Sequence, residues 1–65
     1  MRIEDIRNFD FVIDEGNRYK INTHKANNSF VLNVVFQVLK NNGYGLYRLF
    51  QGGYVYAVKT VPSAI

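Results

Sequence analysis

The hydrophobic period of this 65-residue chain changes twice, from two to about 3.6 and back to two, and that change sets the order of its elements. Phe9, Phe11 and Ile13 alternate with Asp10, Val12 and Asp14; after Glu15-Gly16-Asn17 the alternation resumes as Tyr19 and Ile21 against Arg18, Lys20 and Asn22. Alternation on both sides of a turn predicts a β-hairpin. A two-residue loop at Gly16-Asn17 would pair Asp14 with Tyr19 and mix apolar with charged side chains on both faces. A three-residue loop, Glu15-Gly16-Asn17, pairs Ile13 with Tyr19 and Phe11 with Ile21 inward and Asp14 with Arg18 outward, and is the expected register.

Asn27, Asn28 and Ser29 are helix N-cap residues, and Phe30 to Asn42 reads as a helix stopped at Gly43, with Asn42 or Gly43 in the left-handed cap conformation. On a helical wheel Asn33, Gln37, Lys40 and Asn41 share one narrow stripe. Val31, Leu32, Val34, Val35, Phe36, Val38 and Leu39 span an arc of about 200°, roughly twice what a helix on one sheet needs. The excess predicts a homodimer, or a helix face kept for a partner.

Tyr44 to Gln51 and Tyr54 to Val61 form a second hairpin, with Gly52-Gly53 as its two-residue loop. The charge-free face, Tyr47, Leu49, Tyr54, Tyr56 and Val58, is expected to point into the core. The opposite face carries Tyr44, Leu46, Phe50, Val55 and Ala57 with Arg48 and Lys59 among them. At the N-terminus, Ile3 and Ile6 set among Arg2, Glu4, Asp5 and Arg7 suit a short amphipathic helix or turn that serves as a lid. The expected class is α+β: a short N-terminal helix or turn, a β-hairpin, a central helix and a second β-hairpin. These close as a four-stranded antiparallel sheet, or a β-grasp-like mixed sheet, with one helix packed on it. Residues 1–61 are expected to form a single domain and 62–65 a frayed tail.

A chain this short buries only about 60% of its unfolded surface. It has no cysteine, which removes disulfides and thiolate metal sites, and its 48% apolar content with five Tyr and five Phe excludes disorder. No apolar run approaches membrane-spanning length, and Met1-Arg2-Ile3-Glu4-Asp5 is too acidic to open a signal peptide, so a cytoplasmic location is expected. Charge is divided sharply along the chain. Residues 1–15 hold all five acids against Arg2 and Arg7; residues 16–65 hold no acid and six cations, Arg18, Lys20, Lys25, Lys40, Arg48 and Lys59. That asymmetry points to an anionic partner.

Arg18 and Lys20, outward on the second strand, lead into His24 and Lys25 just ahead of a capped helix N-terminus, where free N–H groups, the helix dipole and long cations favour phosphate. The same residues also suit a lysine-guarded edge strand followed by a capped helix. Tyr44 and Phe50, near Arg48 and Lys59, are the candidates for stacking on bases. One histidine and no cysteine exclude a paired-imidazole or Cys-His metal site, and Asp10 and Asp14, about 13 Å apart on a strand, are too far apart to chelate together. No catalytic residue, metal or cofactor is expected. The chain reads as a small basic non-enzymatic binding module, dimeric, that contacts DNA or RNA phosphates through Arg18, Lys20, His24, Lys25, Tyr44, Arg48, Phe50 and Lys59. The alternative is a small phage or mobile-element type protein that inhibits a host protein or nucleoprotein complex through an apolar, aromatic surface.

Overall fold

The computed structural model describes residues 1–48 and 52–60. A 3₁₀ helix, Ile3–Asn8, leads into strands β1 (Val12–Asp14) and β2 (Arg18–Asn22), helix α1 (Ser29–Asn41), and strands β3 (Tyr44–Arg48) and β4 (Tyr54–Lys59). The expected α+β class and element order hold, and the sheet is antiparallel throughout, in the order β1-β2-β4-β3. With β4 antiparallel to both neighbours, β2 and β3 run parallel, and α1 connects them across one face. The tail expected at 62–65 lies outside the described residues, as do Leu49, Phe50 and Gln51.

α1 begins where its cap allows. Asn28 has extended backbone and its side-chain oxygen accepts from Phe30 N at 2.8 Å, satisfying one of the N–H groups a helix leaves open at its start. At the other end Gly43, at φ 83, takes the left-handed conformation while Asn42 stays at φ −105. The Lys59 ammonium donates to Asn42 O at 2.6 Å, and the Thr60 amide and hydroxyl donate to Gly43 O at 2.8 and 2.7 Å. The end of the helix is thereby fastened to the end of the sheet.

Both hairpin registers differ from expectation. In the first, Val12 faces Ile21, Ile13 faces Lys20 and Asp14 faces Tyr19, the pairing of the tighter Gly16-Asn17 loop. The Asp14 carboxylate accepts from Gly16 N at 2.9 Å, and Gly16 sits at φ 91. An Asp that closes the turn on itself, followed by a residue free to take positive φ, favours the shorter loop. Arg18 therefore pairs with Glu15, Nε to Oε1 at 2.8 Å, and not with Asp14. The one-residue shift turns Ile13 outward, 44% exposed, and brings Val12 into the core. Phe11 is buried from a turn ahead of β1, where its carbonyl accepts from Asn22 N at 2.9 Å.

In the second hairpin Tyr47 faces Tyr56 and Arg48 faces Val55; a two-residue loop at Gly52-Gly53 would have set Arg48 against Ala57. The pull comes from β2, since the Thr23 amide and hydroxyl both donate to Gly53 O, at 2.9 and 2.6 Å. A slip of two residues leaves each side chain on its own face, so Tyr47, Tyr54, Tyr56 and Val58 do share one. That face, however, is the outer one. Val55 and Ala57 on the other side are buried under α1, alongside Ile21 and Tyr19 of β2. The core is Ile6, Phe11, Val12, Tyr19, Ile21, Val35, Leu39, Val55 and Ala57. Ile6 is fully buried, which makes the N-terminal 3₁₀ helix part of the core and more than a lid.

Tyr19 is the buried titratable group of this core. Burial, then Tyr44, whose ring centroid lies 5.5 Å away, and then the Asp14 carboxylate push its phenol above the ordinary 10.0. A proton held more tightly in the folded than in the unfolded chain stabilises the fold fully below pH 10, and that stabilisation is lost as pH rises through the folded value. Urea midpoints at pH 9 and pH 11 should therefore fall further for the natural chain than for Tyr19→Phe; equal falls would remove Tyr19 from the alkaline transition.

Candidate functional site

α1 covers one face of the sheet, and the other face carries the densest set of chemically active side chains. Its positions follow from the registers: Ile13 on β1, Arg18, Lys20 and Asn22 on β2, Tyr54, Tyr56 and Val58 on β4, and Gly45 and Tyr47 on β3. Lys20 lies directly opposite Tyr56, and Tyr56 directly opposite Tyr47. Each cation reaches diagonally to the neighbouring strand. The Arg18 guanidinium lies 4.1 Å from the Tyr56 ring centroid and the Lys20 ammonium 4.3 Å from that of Tyr54. Such contacts contribute about 0.5–1 kcal/mol each at exposed sites, and they hold two long side chains near the sheet. Glu15, at the hairpin end, offsets part of the Arg18 charge through its ion pair; among the described residues Lys20 has no carboxylate within salt-bridge reach.

The remaining candidates scatter. Lys25 lies in the turn beyond β2 with its ammonium 4.0 Å from Asp10, and its amide, like that of His24, donates to the Asn22 side chain. His24 packs over the α-carbon of Gly53, where a Cβ would fall inside the imidazole. With Thr23, Arg48 and Tyr54 it lines an open cleft of about 610 Å³ at the end of the sheet. Tyr44 and Lys59 belong to the helix side: Tyr44 is half-buried beside Tyr19, and the Lys59 ammonium lies 5.1 Å from its ring centroid while capping α1. Arg48 is exposed near Phe36 and Lys40. Phe50 lies outside the described residues. Arg18 and Lys20 thus share a face, and Tyr47, Tyr54 and Tyr56, expected in the core, join them there.

The signal that could have found the tyrosines was cross-strand. A strand face with no charge of its own can still be a solvent face when the adjacent strand supplies the cations. Among the described residues no cluster of three or more His, Asp or Glu converges on a metal position, and no helix is long and apolar enough to cross a membrane. No family model matches the chain, and neither curated proteins nor solved structures give a match.

Proposed function

We propose that this chain is a non-catalytic nucleic-acid-binding module whose contact surface is the open face of the sheet. The observation that carries this is the stacking of Arg18 on Tyr56 and of Lys20 on Tyr54, beside Tyr47 at 57% exposure. Cations interleaved with rings on one flat face meet the two halves of a nucleic acid, the anionic backbone and the base planes. The test is fluorescence anisotropy of a labelled oligonucleotide at rising salt. Phosphate contacts through Arg18 and Lys20 should lower affinity about five- to tenfold between ~50 and ~200 mM salt. Salt-independent binding, or none, contradicts the proposal.

One feature favours a second function. Phe30, 73% exposed, Met1, 62% exposed, and half-buried Val34 and Val38 form an apolar strip on the outer side of α1, bordered by the exposed amides Asn33, Gln37 and Asn41 and, among the described residues, by no charged side chain. An apolar strip of this kind suits a protein surface, whether a second copy or the target of a phage or mobile-element type inhibitor. Light scattering after size exclusion should give about twice the chain mass for self-pairing, reduced to the chain mass by Phe30→Glu; a strict monomer at high micromolar concentration excludes self-pairing.

A further inference from the structure

Tyr47 is held differently from the two other outward tyrosines. Gly45, two residues before it on β3 and on the same face, leaves bare backbone beneath its ring. A Cβ built on Gly45 would lie 3.3 Å from Cε2 and the phenol oxygen of Tyr47, and 3.3 Å from the Thr60 methyl carbon. The ring therefore lies back along the strand and does not stand up from it. Glycine inside a strand weakens the strand unless close approach requires it, and here the approach is that of the Tyr47 phenol together with the Thr60 methyl. Tyr54 and Tyr56 each carry a cation over the ring, whereas Tyr47, the most exposed of the three, carries none among the described residues.

We propose that the face takes an unpaired strand, with a base stacked on the Tyr47 ring and the adjacent phosphates on Lys20 and Arg18. This rests on the nucleic-acid function proposed above. The division of labour follows from occupancy: the rings of Tyr54 and Tyr56 position cations, and the ring of Tyr47 is open to a planar ligand. In a duplex the base planes are stacked on one another and offer no π-face to such a ring, while in a single strand every base offers one. Backbone contacts from two cations are available to either form. A preference for single strands must therefore come from Tyr47, and the salt dependence from Lys20 and Arg18.

The experiment compares a labelled 12-nucleotide oligothymidylate with a 12-base-pair hairpin duplex in the same buffer, using the natural chain, Tyr47→Leu, Tyr47→Phe, Gly45→Val and the Arg18→Glu, Lys20→Glu double variant. The single strand should bind about tenfold or more tightly than the duplex. Tyr47→Leu should lose about tenfold for the single strand with its salt dependence unchanged, and Tyr47→Phe should retain the affinity. Gly45→Val, which suits an edge strand and fills the space under the ring, should lose as much as Tyr47→Leu while circular dichroism shows the fold kept. If the duplex binds as tightly and Tyr47→Leu changes nothing, yet the double charge variant weakens both, the single-strand inference fails and nucleic-acid binding by this face stands. If neither probe binds, both fail together.

Discussion

Ala57→Glu is expected to leave the chain unfolded at 25 °C, whereas Val58→Glu, one residue further along β4, stays folded within about 1 kcal/mol of the natural chain. Ala57 is 0% exposed, beneath α1 and between Tyr19 and Leu46 on the flanking strands. A carboxylate there has neither water nor a cation, and an uncompensated buried charge costs about 3–5 kcal/mol or more. A chain of this size is stabilised in total by about 3–10 kcal/mol. Val58 is 37% exposed on the other face and directly opposite Arg18, so a glutamate there meets solvent and a guanidinium. Circular dichroism with urea titration measures both. The opposite ranking, Val58→Glu unfolded and Ala57→Glu folded, would place the tyrosine face in the core and remove the binding surface altogether.

Reversing two charges should have the largest effect on binding. Arg18→Glu with Lys20→Glu is expected to weaken oligonucleotide binding at least 100-fold in low salt. Its salt dependence should flatten by about 0.7 units of slope for each single-strand phosphate that the variant no longer neutralises. The effect exceeds simple removal because glutamates repel the backbone and the cations that sat over Tyr54 and Tyr56 are gone. Stability should change little, since Arg18 is exposed and Lys20 only half-buried. A folded double variant with unchanged affinity shows that the phosphates bind elsewhere, and the Lys25, His24 and Arg48 positions at the end of the sheet become the next to test.

The element order is legible because period and caps agree: Asn28 opens the helix, Gly43 stops it, and the alternations on either side of α1 have no helical alternative. The first register is harder to read because the three-residue loop gives cleaner faces, yet Asp14 and Gly16 fix the loop locally, and a mixed β1 with Ile13 outward is the result. The orientation of the second hairpin is not legible from its own residues. Charge counted strand by strand puts the tyrosines inside, and only the pairing of β4 with β2 sets Arg18 and Lys20 beside them. The same non-local pairing explains the site. Arg18 and Lys20 can be read as outward from alternation alone, whereas Tyr44 and Lys59, adjacent in the pattern to Arg48, are taken up in closing the helix against the sheet.

The most direct measurement of binding by this face is a two-dimensional amide NMR titration with a 12-nucleotide oligothymidylate. Shifts are expected at Arg18, Lys20, Gly45, Tyr47, Tyr54 and Tyr56, saturating together, with the α1 amides from Phe30 to Val38 unmoved. Shifts confined to α1, or none at strand positions while the oligonucleotide is bound, would contradict the assignment of the open sheet face as the nucleic-acid interface.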